Sequence, residues 1–105
     1  MTSIDTQTGA RAQRYLRIAT EEAFAPPELV ALWRRLLERG THGDPGFDSL
    51  VGFYINHRSP RTDFVLDRLQ DLGDQRLSDM DAAGIDRQVI SLTAPGTQIL
   101  DAGDA

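Results

Sequence analysis

Tyr15-Leu16-Arg17-Ile18-Ala19-Thr20-Glu21-Glu22-Ala23-Phe24-Ala25-Pro26-Pro27 is the stretch that decides how this chain is read. Leu16, Ile18 and Ala19 predict a short strand over about Leu16 to Thr20. It runs into two carboxylates, then an aromatic, then two prolines suited to the first turn of a helix. Acidic residues are poor strand formers, so a Glu pair at a strand end needs a reason. In parallel α/β folds the C-terminal strand ends carry the active site. A carboxylate there can hold a hard or borderline divalent metal.

Downstream, Leu29, Leu32, Trp33, Leu36 and Leu37 recur at helical spacing, and Gly40 is placed to end that helix. Trp33 reads as packing. Thr41 to Pro60 is rich in Gly, Pro, Asp and Asn and reads as a long irregular loop. Its apolar content, Leu50 to Ile55, implies that it folds over something. Val65, Leu66, Leu69 and Leu72 open a second helical stripe, which Leu77, Met80 and Ala83 extend. Gly73 kinks or divides it, and Gly84 stops it. Gln88 to Leu92 reads as a buried strand that ends in the turn Thr93-Ala94-Pro95-Gly96. Strand, helix, loop, helix, strand is a βαβ crossover with an insertion, which implies a parallel sheet. Two parallel strands cannot bury both their faces alone.

These residues resemble the decarboxylase branch of the amidohydrolase superfamily. The resemblance rests on Ala19-Thr20-Glu21-Glu22-Ala23-Phe24-Ala25, and continues through Gly52-Phe53-Tyr54, Asp71-Leu72-Gly73, Asp79 to Asp86 and Leu92 to Gly96. It implies an α/β fold, the N-terminal portion of a (β/α)₈ TIM barrel that is incomplete in this chain. A whole barrel takes roughly 250 residues, against 105 here. Residues 1–14 then read as a flexible leader and 15–105 as the first βα units, with the insertion at about 41–60. A small stand-alone protein is the rival reading.

By the same resemblance the activity is metal-dependent, non-oxidative decarboxylation of an ortho-hydroxy aromatic acid such as 5-carboxyvanillate. Most amidohydrolases place His-x-His at the end of strand one; here Glu21 and Ala23 hold those positions. Glu21 would be a single oxygen ligand of a divalent ion, Mn²⁺ by preference and Zn²⁺ as second choice. The remaining ligands and a proton-donating Asp would come from later strands. Glu22 reads as a supporting carboxylate. Arg61 would bind a substrate carboxylate, with Arg58 the weaker candidate, and Thr93 would hydrogen-bond substrate; the plainer readings are a solvated Arg and a turn residue. Phe24 and Tyr54 would line an aromatic pocket or simply pack. His42 and His57 lack metal-motif spacing and read as packing or solvated residues. Asp79, Asp81 and Asp86 organise helix ends and turns.

Composition sets further bounds. The net charge is −5 and every one of the 11 basic residues is Arg. There is no basic block or basic–aromatic stripe, which argues against nucleic acid as a partner. The absence of Cys excludes disulfides and thiolate metal sites within the chain. No apolar run approaches ~18 residues and residues 1–14 lack a signal-peptide core, so no membrane partner is expected and the compartment reads as cytoplasmic. The expected partners are an aromatic carboxylic acid and, in the complete enzyme, further copies of itself. Two rivals remain: another amidohydrolase-type hydrolase or hydratase, and a non-catalytic interaction module.

Overall fold

The structure is a computed structural model that describes residues 15–40 and 42–105. The expected leader over residues 1–14 lies outside the described residues. Two strands, β1 (Ile18–Phe24) and β2 (Arg87–Leu92), pair in parallel. Four helices connect them: α1 (Pro27–Arg39), α2 (Pro45–Asn56), α3 (Pro60–Gln70) and α4 (Asp74–Ala83).

Helix α1 starts at Pro27 and ends at Gly40, which sits at φ 67° as a left-handed C-cap. Leu29, Val30, Trp33 and Leu36 form its buried face. Trp33 is 3% exposed and donates its indole Nε1–H to the Gly96 carbonyl at 3.1 Å, so α1 is tied to the turn after β2.

The segment read as an irregular loop is mostly helix. The Asp44 carboxylate accepts the Phe47 N–H at 3.1 Å, and Pro45 occupies the first turn. Phe47, Val51 and Ile55, four apart, reach the core beside Ala25, Leu29, Val30, Trp33 and Leu36. The breakers that concealed it are a start signal, Pro45, and two glycines whose propensity cost of ~1 kcal/mol each is offset by that buried stripe. His42 packs, as one of its two readings held. Its ring is 2% exposed, Nδ1 accepts the Asp44 N–H at 2.9 Å, and Nε2 lies 2.9 Å from Asp48 Oδ1.

Helix α3 opens with a capping box. Ser59 Oγ accepts the Thr62 N–H at 3.1 Å, and Thr62 Oγ1 accepts the Ser59 N–H at 3.0 Å. The same Thr62 hydroxyl donates to the His57 carbonyl at 2.6 Å, and Thr62 is 2% exposed. Thr62→Val keeps the shape and strands these partners. It should lower the unfolding free energy by about 1–3 kcal/mol in a urea titration.

The second stripe is divided at Asp71–Gly73 into α3 and α4. Arg76, on α4, holds the junction. Its guanidinium donates to the carbonyls of Asp71, Arg68 (3.2 Å) and Ala23 (3.3 Å) and to Gln88 Oε1 (3.0 Å). One side chain thus covers the orphan carbonyls at the end of α3 and joins them to both strands.

β1 also differs from expectation. It runs through the Glu pair to Phe24, because the ladder to β2 continues as far as Phe24 opposite Leu92. Ala19 pairs with Gln88 and Glu22 with Ile90, so Thr20 and Glu21 together oppose Val89 alone. That is a β-bulge, uncommon in parallel pairs. The sheet leaves Ile18 and Val89 each 52% exposed, unlike parallel sheets covered on both faces.

Candidate functional site

The bulge takes in Glu21 and ends where Glu22 pairs with Ile90. Glu21 adopts φ 60°, the one positive φ among described non-glycine residues. For an L-residue with a long side chain this costs roughly 1–2 kcal/mol. Such outliers concentrate at functional positions. Its carboxylate is exposed. Glu22 is half-buried and faces the helices, lining a depression of about 350 Å³ with Arg68, Arg76 and Asp79.

Thr93 follows β2 directly and donates its N–H to the Phe24 carbonyl at 2.9 Å. Thr93 therefore lies at the C-terminal end of the sheet, whereas Glu21 sits in mid-strand, three residues and about 10 Å before Phe24, so the structure does not bring the two together at the strand end. Thr93 borders a cavity of about 200 Å³ lined by Trp33, Val51, Tyr54, Ile55 and Leu69. Tyr54 and Thr93 are its hydroxyl-bearing residues.

Arg61 stands apart in the first turn of α3. It is exposed and does not border that cavity. Arg58, by contrast, is engaged. Its Nε donates to Asp63 Oδ1 at 2.7 Å and its Nη2 to Oδ2 at 3.3 Å. Hydrogen bonding from Arg58 holds the Asp63 carboxyl below the usual carboxylate range, and the same bond raises Arg58. Of the two arginines, Arg61 is the one with a guanidinium free for a ligand.

The donor set fits one arm of a metal centre. Glu21 offers a hard oxygen, exposed and set by the bulge. Among the described residues no three His, Cys, Asp or Glu side chains come together to hold an ion. His42 and His57 flank α2, the first ahead of its N-cap Asp44 and the second as its C-cap. Sequence reasoning missed Thr62 and Arg76; their roles arise from contacts that only the fold brings together.

No helix among the described residues is long and apolar enough to cross a membrane. No family model matches the chain, and no curated protein matches it. Among solved structures, a 5-carboxyvanillate decarboxylase from Novosphingobium aromaticivorans, complexed with manganese and 4-hydroxy-3-methoxy-5-nitrobenzoic acid, is 49% identical over 88% of this chain, with a TM-score of 0.79. A point mutant of that decarboxylase, also with manganese and the nitro acid, is again 49% identical over 88%, with a TM-score of 0.80. The chain spans 26% of the length of each. Over 88% of its length this chain is thus similar, in sequence and in fold, to part of a manganese-bound 5-carboxyvanillate decarboxylase, as the Glu21-centred strand implied.

Proposed function

We propose that the chain supplies the first two strands, one metal-binding carboxylate and part of the substrate pocket of a (β/α)₈ decarboxylase. The reaction is metal-dependent, non-oxidative loss of CO₂ from an ortho-hydroxy aromatic acid of the 5-carboxyvanillate kind. The observation that carries this reading is Glu21. It sits at a strained bulge in a chain that is 49% identical, over 88% of its length, to an enzyme solved with manganese.

When bound, the divalent ion, Mn²⁺ by preference, supplies positive charge against the anionic oxygens of the substrate. The chain's own residues have separate tasks. Glu21 holds the ion from one side. Thr93 hydrogen-bonds a substrate oxygen at the strand end. Arg61 pairs with a second carboxylate, the one that is retained, through its planar fork. The apolar cluster around Trp33 keeps water from the rim. One metal ligand and two strands do not make a site, so the 105 residues alone release no CO₂.

A chimera tests this. Residues 15–105 replace the matching quarter of the Novosphingobium enzyme. The chimera is expected to bind manganese and release CO₂ from 5-carboxyvanillate. Arg61→Ala in it should lower kcat/KM for this dicarboxylate by roughly 10- to 100-fold, and affect a ring analogue without the second carboxylate far less. A folded, manganese-loaded chimera without CO₂ release overturns the reading. Equal losses on both substrates would reassign Arg61 to supporting the fold.

A further inference from the structure

Glu21 holds a positive φ inside a strand. Backbone strain of this kind persists only where the surroundings over-determine it. The ladder gives no such reason, because a strand in regular register avoids the cost. From α4, one side chain touches the strands on both flanks of the bulge. Arg76 Nη1 donates to Gln88 Oε1 at 3.0 Å, and Gln88 is paired with Ala19, the last pair before the bulge. Arg76 Nη2 donates to the Ala23 carbonyl at 3.3 Å, and Ala23 follows Glu22, where pairing resumes. Thr20 and Glu21 lie between these two points. Arg76 is itself held. Its Nε donates to the Asp71 carbonyl, and Nη2 donates also to the Arg68 carbonyl at 3.2 Å. Its backbone N–H donates to Asp71 Oδ1 at 3.1 Å, which accepts the Gly73 N–H as well, at 2.8 Å. The guanidinium carbon lies 6.0 Å from the centroid of the Phe24 ring.

We propose that Arg76 is the positioning residue for Glu21. Its fork spans the bulge of β1 and holds Glu21 at the positive φ at which it ligates the ion. A planar guanidinium is rigid, so it fixes the spacing of the acceptors that it joins. Here those acceptors are one flank of the bulge, the other flank, and the end of α3. Taking up the surplus residue from the far side would move Ala23 about 3.3 Å along the strand. The bond from Arg76 to its carbonyl would then break. Arg76 therefore favours the bulged ladder over the regular one. Gln88 is its relay to β2, since the amide oxygen that Arg76 grips belongs to the residue beside Ala19. Only the ion in this proposal rests on the decarboxylase reading; the backbone part concerns the chain by itself.

Nuclear magnetic resonance of the 105-residue chain tests the backbone part, with circular dichroism to verify that each variant is folded. A positive φ brings an amide proton close to the Hα of its own residue. Glu21 should therefore show a stronger intraresidue NOE than Thr20 or Ala23. Gln88→Met removes the acceptor on one flank and leaves the contacts of Arg76 with α3 in place. It should bring the Glu21 NOE down toward the level of its neighbours. Gln88→Glu returns an oxygen acceptor and should restore it. Asp79→Asn lies in the same depression but is bonded to Gln75 and Arg68 instead, and should change nothing. In the chimera, Arg76→Lys and Gln88→Met should each raise the manganese Kd by about 10- to 100-fold, the effect of losing a partner that orients a ligand. An undiminished Glu21 NOE in a folded Gln88→Met chain overturns the proposal. So does a chimera whose two variants bind manganese as tightly as their parent. A parent chimera that binds no manganese counts against the decarboxylase reading, and the NOE then decides the positioning role by itself.

Discussion

Replacing Glu21 by alanine in the chimeric or complete decarboxylase is expected to remove the ion and CO₂ release together. Loss of a partner that only orients a ligand costs 10- to 100-fold in metal affinity. Loss of the ligand itself should exceed about 100-fold on that scale. Glu22→Ala should leave occupancy near wild type, because Glu22 faces the helices beside Arg68 and Arg76. Metal-to-protein ratios for the two variants decide the assignment, and full occupancy in Glu21→Ala would sink it. A second measurement separates function from fold. In the 105-residue chain Glu21→Gly relieves the positive φ, which glycine tolerates. It should leave stability unchanged or raise it by up to about 1 kcal/mol. A position whose replacement spares the fold and empties the metal site was held for chemistry.

The second large effect concerns Trp33. Trp33→Ala removes the largest side chain of the core and the indole that holds the Gly96 carbonyl. Aromatic-to-alanine changes in cores cost about 3–5 kcal/mol. A chain of this size has a total stability of about 5–15 kcal/mol, and this one leaves much of its sheet uncovered. Trp33→Ala should therefore be largely unfolded at 25 °C by far-UV circular dichroism. Trp33→Phe keeps most of the packing and strands one carbonyl, so it should remain folded with a loss of about 1–3 kcal/mol in urea. A native-like melt for Trp33→Ala would mean that the core does not depend on α1.

Local signals were legible where local chemistry decides the outcome. Gly40 and Gly84 end their helices at φ 67° and 73°, as their positions foretold. Trp33 is core, and the stripe broken at Gly73 is two helices. The parallel pairing followed from element order alone. Helix α2 was not legible because breakers were counted without regard to position: Pro45 begins a helix as readily as it ends one. The bulge was not legible because register belongs to two strands at once, and Thr20-Glu21 says nothing about Val89 until β2 lies alongside. Arg76 reaches Ala23 across 53 residues of sequence, beyond the reach of any periodicity. Of the candidate residues, Thr93 follows β2 as strand logic foretold, whereas Glu21, expected at a strand end, lies in mid-strand because pairing with β2 carries β1 on to Phe24, and Arg61 depends on the loop-to-helix junction at Ser59.

The bulge has one more consequence. In a regular strand an inserted or deleted residue reverses the facing of everything beyond it. β1 already contains such a surplus, and the ladder absorbs it between Ala19 and Glu22 without losing the pairs that follow. Phe24 still meets Leu92. The sheet would close as well with one residue fewer. That extra residue is spare to the ladder, and it is where Glu21 takes the positive φ that a regular strand would deny it.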